Sequence, residues 1–181
     1  MARAFVGVGS NIMPEANVRW ALCLLRRSVR LAGVSTFYLT QALGEREQPA
    51  CRPAGGPPFY NGVVEVETGI PPSELKQSVL RRIEQQLGRR RGADRFAARS
   101  IDLDLLLYGD LVIAGEELTV PDPEIGRRPF LAIPLAELDP DLVLPGASVT
   151  MRQLAARHAG HDMRPLAEYT LLLRKDVTDG S

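Results

Sequence analysis

Asp102 and Asp104 stand two residues apart in the run Arg99-Ser100-Ile101-Asp102-Leu103-Asp104-Leu105-Leu106-Leu107-Tyr108. The run is short, apolar and stopped by Gly109-Asp110, the pattern of a β-strand. Alternation then puts Ile101, Leu103, Leu105 and Leu107 on one face. Both carboxylates fall on the other, with Cα atoms roughly 6.5 Å apart. Asp is depleted in strands, and like charges on one face repel. A divalent cation between them would remove that cost, and oxygen-only ligands favour Mg2+. The alternative is a solvated face whose aspartates pair with nearby arginines. Loss of either carboxylate is expected to leave the fold intact, because it relieves repulsion.

Arginines gather in three places: Arg81-Arg82, then Arg89-Arg90-Arg91 with Arg95 and Arg99, then Arg127-Arg128. Two of these groups flank the aspartate strand. Arg81 and Arg90 read as surface charges, whereas Arg99, three residues before Asp102, reads as functional. Carboxylates holding a cation amid guanidinium groups suit a polyphosphate, whose developing charge they would stabilise. No Gly-x-x-x-x-Gly-Lys-Ser/Thr stretch occurs, and Gly7-Val8-Gly9 lacks the third glycine of a dinucleotide fingerprint. The protein-kinase motifs are absent as well. His158 and His161 read as surface residues, and no Ser-His-Asp or Cys-His arrangement is evident. Catalysis would rest on positioning and electrostatics rather than on a protein nucleophile.

These groups need a scaffold. With 181 residues, 45% hydrophobic and 24% charged, the chain is expected to form a single domain, 1–181, with a real core. Zero net charge gives no global field for nucleic acid or a membrane surface. Cys23 and Cys51 have no metal-like spacing, so no disulfide framework is expected. No signal peptide or membrane span is read, and a cytoplasmic enzyme is the expectation. The pattern predicts a strand over 4–8, a turn at Gly9-Ser10-Asn11 and a helix over about 14–31. A second strand over 34–40 and an irregular loop from Leu43 to Pro58 follow, then a strand over 59–67. A second helix opens at Pro71-Pro72-Ser73 and stops at Gly88. A basic loop over 89–98, the aspartate strand, a short hairpin and a helix over about 129–138 complete the order. The fold class is therefore α+β, a ferredoxin-like β-α-β-β-α-β sandwich with an extra C-terminal segment. Residues from about Tyr169 onward are left unassigned.

The chain resembles the 6-hydroxymethyl-7,8-dihydropterin pyrophosphokinase family over about residues 4–167. Five segments carry the resemblance: Gly9-Ser10-Asn11, Phe59-Tyr60-Asn61, Ile83-Glu84 with Gly88-Arg89-Arg90-Arg91, Arg99 with Ile101 to Gly109, and Pro121, Arg128, Phe130 and Pro134-Leu135. The resemblance implies transfer of pyrophosphate from ATP to the pterin hydroxymethyl group, releasing AMP. It implies two Mg2+ ions on Asp102 and Asp104, with Arg89 and Arg99 also catalytic. Glu84, Arg89, Arg91, Arg99 and Arg128 would bind ATP. Thr40, Leu43, Phe59, Asn61 and Phe130 would bind the pterin, its ring lying between Phe59 and Phe130. A monomer is expected, with both loops closing over the substrates. Three positions depart from the family pattern: Gln41 replaces a proline, Phe96 a tryptophan, and Pro121-Asp122 a Pro-His pair. Asp122 could face the nucleotide with Arg127 or Arg128 neutralising it, turn to solvent, or cap the turn. The competing reading is a ferredoxin-like nucleotide- or pterin-binding module with impaired catalysis.

Overall fold

β1 (Ala2–Ser10) is the axis of the computed structural model, in which residues 1–41, 57–89 and 99–178 are described. It runs antiparallel to β4 (Phe59–Thr68) on one side and to β5 (Asp102–Tyr108) on the other. Beyond β4 lie β2 (Arg30–Val34) and β3 (Tyr38–Thr40), and β8 (Arg164–Pro165) extends the edge from β3. The strand order is β5-β1-β4-β3-β8, with β2 also on β4. β6 (Ile113–Ala114) and β7 (Thr119–Val120) form a separate hairpin. The chain thus mixes helices with an antiparallel sheet. Most of the two loops expected at 43–58 and 89–98 falls outside the described residues, including Leu43, Arg91 and Phe96.

Each face of the sheet carries its own core. On one face Val6, Val8, Val64, Val66, Leu103 and Leu105 pack under α1 (Pro14–Leu25), the helical segment 72–86 and α6 (Ala167–Thr178). On the other, Phe5, Val63, Leu106 and Leu107 pack under α4 (Pro129–Leu138) and α5 (Met151–Ala156). Leu107 was expected beside Leu105, and the structure moves it across. Phe5 pairs with Leu107 but Val6 pairs with Leu105, so Leu106 is an extra residue in β5. Such a bulge breaks the two-residue alternation beyond it. Asp102 and Asp104 precede the bulge and keep the common face that alternation predicts.

Three other boundaries differ from expectation. The first helix stops at Leu25, because Arg30 onward pairs with β4. The expected strand over 34–40 is two strands, β2 and β3. Between them Ser35 takes up Val63: its N–H donates to the Val63 carbonyl at 3.0 Å, and its Oγ accepts the Val63 N–H at 2.9 Å. The second helix is continuous but composite: α2 (Pro72–Glu74), a wide π stretch (Leu75–Leu80) and α3 (Arg81–Gln86). Gly88 ends it at φ 79°, as expected of a residue free to adopt the left-handed region. The C-terminal tail is α6, and it seats Thr170 and Leu173 in the core.

Candidate active site

Cross-strand register builds the floor of the site. Asp102 lies opposite Gly9, Gly9 opposite Asn61, and Asn61 opposite Tyr38. Opposed residues in antiparallel strands project from one face. Asp104, Phe59 and Thr40, two residues along their strands, share it. α4 covers this face only further along: Leu131 approaches to 3.3 Å from where a Cβ on Gly7 would sit. Asp104 stays exposed and Asp102 half-buried. Gly9 is required here by close approach, since an added Cβ would meet Asn61 Oδ1 at 2.7 Å. The missing side chain lets the Asn61 amide lie across β1 toward the aspartates. Asn61 Nδ2 donates one of its two N–H groups to Thr40 Oγ1 at 2.7 Å, and Oδ1 faces Gly9. Thr40 thus orients Asn61.

Asp102 is gripped from two sides. The Arg89 guanidinium pairs with Oδ1 and the Arg99 guanidinium with Oδ2. Arg89 also pairs with Glu84, which is 2% exposed. The Glu84 carboxylate accepts the Leu103 N–H at 2.9 Å, at the residue between the two aspartates. The π stretch precedes a turn in which Ile83 and Glu84 both point inward, beneath β5. Glu84 therefore sits below the floor as a support. Burial opposes the charge on Arg89, but Asp102, Glu84 and Asp104 outweigh it and raise its pKa further.

Among the described residues no hydrogen bond or ion pair reaches the Asp104 carboxylate. Burial in the crowded floor, then repulsion from Asp102, Asp122 and Glu84, push its carboxyl up to about 7. Its carboxyl still reaches solvent at the edge of the floor, and the neighbouring carboxylates add to the effect of burial. A solvent-facing carboxylate crowded by other carboxylates, with oxygen donors alone, fits a hard divalent cation. Asp102 and Asp104 are the residues that would hold it. Among the described residues no cluster of three or more His, Cys, Asp or Glu offers a further metal site.

Asp122 caps its turn. Its N–H donates to the Leu106 carbonyl at 2.8 Å, and its Oδ1 accepts the Glu124 N–H at 2.8 Å. Burial raises its pKa, while the Glu124 N–H and, less, Lys76 partly offset that. The expected partners of Asp122 go elsewhere: Arg127 and Arg128 both pair with Glu124, at 3.3 and 2.6 Å. Phe59 and Phe130 are half-buried and belong to neither core cluster. They stand at the start of β4 and the start of α4. Asn11 was given no individual role by the sequence. It is buried and hydrogen-bonds to both flanks of the site, at Pro57 and Arg99. Its sequence signals are a polar side chain directly after a strand and its place in the Gly9-Ser10-Asn11 segment.

Residues 5–140 match the family model of 7,8-dihydro-6-hydroxymethylpterin-pyrophosphokinase. A 2-amino-4-hydroxy-6-hydroxymethyldihydropteridine pyrophosphokinase of Haemophilus influenzae is 34% identical over 166 residues, covering 90% of this chain and 97% of the relative. The enzyme of that name from Pseudomonas aeruginosa is 36% identical, over 85% and 91%. Among solved structures, the Plasmodium falciparum HPPK-DHPS bound to pteroate superposes with a TM-score of 0.66 at 14% identity. That match covers 97% of this chain and 45% of the longer one, and it speaks for the fold alone. Family model, full-length relatives and fold agree, and the chain belongs to the 7,8-dihydro-6-hydroxymethylpterin-pyrophosphokinase family.

Proposed function

We propose that this chain transfers the β,γ-pyrophosphoryl group of ATP to the hydroxymethyl oxygen of 6-hydroxymethyl-7,8-dihydropterin. The new bond joins that oxygen to the β-phosphorus, and the α,β-bridging oxygen leaves with AMP. The observation that carries this reading is the register row Asp102–Gly9–Asn61. It puts a carboxylate that would face phosphate and an amide that would face the pterin on the two strands flanking β1, with Gly9 between them. Asp102 and Asp104 would hold Mg2+, two ions in our reading, which would neutralise polyphosphate charge when bound. Arg89, Arg99 and Arg128, with Arg91 outside the described residues, would contact the phosphates. Asn61 would bind an edge of the pterin between Phe59 and Phe130, with Thr40 and Leu43 alongside. Glu84, expected at the ATP, would act instead by holding Arg89 and the β5 backbone. We read the arrangement as ferredoxin-like, with the interrupted β2/β3 in one strand position and α1 and 72–86 on one face. A single domain over 1–181, a monomer and a cytoplasmic site complete the reading. Among the described residues no helix is long and apolar enough to cross a membrane. Incubation with MgATP and the pterin should release AMP and no ADP, and release of ADP would refute the transfer.

Two substitutions probe the floor. Gly9→Ala forces the Asn61 amide aside and is expected to raise the KM for pterin about tenfold, the equivalent of one lost hydrogen bond. The KM for ATP should change far less, which steady-state kinetics in each substrate will show. Asp122→Asn retains the acceptor for the Glu124 N–H. Its kcat is expected to stay within a few-fold, with any change appearing as tighter ATP binding. A hundredfold loss of kcat would make Asp122 part of the reacting site.

A further inference from the structure

We propose that Asn11 couples the nucleotide and pterin subsites through a two-armed side-chain bridge, an inference that rests on the substrate assignment above. Asn11 is 6% exposed. Its Oδ1 accepts the Arg99 N–H at 2.6 Å, and its Nδ2 donates to the Pro57 carbonyl at 3.2 Å. One arm therefore holds the backbone of an arginine that grips Asp102. The other holds the backbone two residues before Phe59 and four before Asn61. Apart from this amide, the two segments belong to different strands separated by β1.

The bridge is anchored. The Asn11 and Ile12 N–H groups both donate to the Arg99 carbonyl, at 3.1 and 3.2 Å. Ser10 Oγ donates to the Ser100 carbonyl at 2.5 Å. From α1, Asn17 Nδ2 donates to the Ile12 carbonyl at 2.6 Å, and Met13 turns the chain at φ 42°. The Asn11 backbone is thus tied to the Arg99–Ser100 backbone. A shift of Arg99 toward phosphate carries Asn11 with it and is passed through its amide Nδ2 to Pro57, and the reverse holds when pterin draws in β4. By linkage the coupling is reciprocal: each ligand should tighten the other by the same factor.

The test is binding, not turnover. Calorimetry would give the Kd of a non-hydrolysable MgATP analogue with and without saturating pterin. The wild type is expected to show at least about fivefold tightening. Asn11→Ala should bring that factor close to one while each ligand alone binds within a few-fold of wild type. Asn11→Asp keeps the acceptor for the Arg99 N–H, loses the donor to Pro57 and adds a negative charge. It is expected to lose the coupling too, and it carries the test if Asn11→Ala does not fold. Undiminished coupling in a folded variant overturns the proposal, as does a wild type that binds both ligands independently. In that last case AMP release would still stand, so the two readings fail separately. A wild type that binds neither ligand overturns both.

Discussion

Asp104→Asn is expected to lose turnover on the order of 10²–10³-fold or more, while its thermal midpoint matches or exceeds that of the parent. The loss follows from removing a ligand of the cation that would offset polyphosphate charge. The retained stability follows from the neighbours: Asp102, Asp122 and Glu84 all repel the Asp104 carboxylate, and the neutral amide ends that repulsion. The same crowding gives the metal-free protein a pH dependence of known sign. Unfolded, Asp104 titrates near 3.8; folded, near 7. Below about pH 4 both states hold the proton. Between those values the folded state alone does, so the stability from this group is full at the acid end and lost as pH rises toward 7. Asp104→Asn removes that slope, and thermal melts of the metal-free proteins at pH 4 and pH 7 will show whether it does. Near-parental turnover in saturating Mg2+ would refute the assignment.

Arg89→Ala should damage both stability and catalysis. Arg89 bridges a half-buried carboxylate, Asp102, and a buried one, Glu84. Removing one partner of a buried ion pair costs about 3 kcal/mol, because the remaining charge is left with less compensation. The Glu84 carboxylate also fixes the Leu103 N–H, so a Glu84 that shifts disturbs the strand between the two aspartates. Turnover should fall about 10²-fold or more. Arg89→Lys restores the charge but not a fork able to reach both carboxylates, and it should recover stability only in part. Urea unfolding set beside kcat separates the effects. An Arg89→Ala variant with parental stability would mean that the bridge contributes nothing to the fold. Asp102 contrasts with Asp104 for the same reason. Asp102→Ala leaves Arg89 and Arg99 without the carboxylate they share, so it should lose stability as well as activity. The sequence predicts that either carboxylate can be removed without cost to the fold; the ion pairs of Asp102 restrict that prediction to Asp104.

By itself the sequence determined whatever depends on near neighbours along the chain. Alternation through Ile101 to Leu105 put the two aspartates on one face, because strand geometry repeats every two residues whatever the partner. Pro129 and Gly88 marked helix ends, because a fixed φ and a free one are properties of those residues. Tertiary pairing decided the rest. The bulge at Leu106 arises from register against β1, which moved Leu107 to the other core. Glu84 reads in the sequence as an ATP ligand, yet a composite helix turns it beneath β5, where its buried carboxylate meets the Leu103 N–H and the Arg89 guanidinium. α6 escaped notice because Leu171, 64% exposed, and Leu172 share a run with the buried Leu173 and blur the helical stripe. The break between β2 and β3 depends on Ser35 meeting Val63, which lies 28 residues further along. Asp122 illustrates the division most plainly. Its turn-capping role is local and was among the sequence readings, whereas its nearness to Asp104 and Lys76 exists only because the chain, having left β5, returns along that strand's edge.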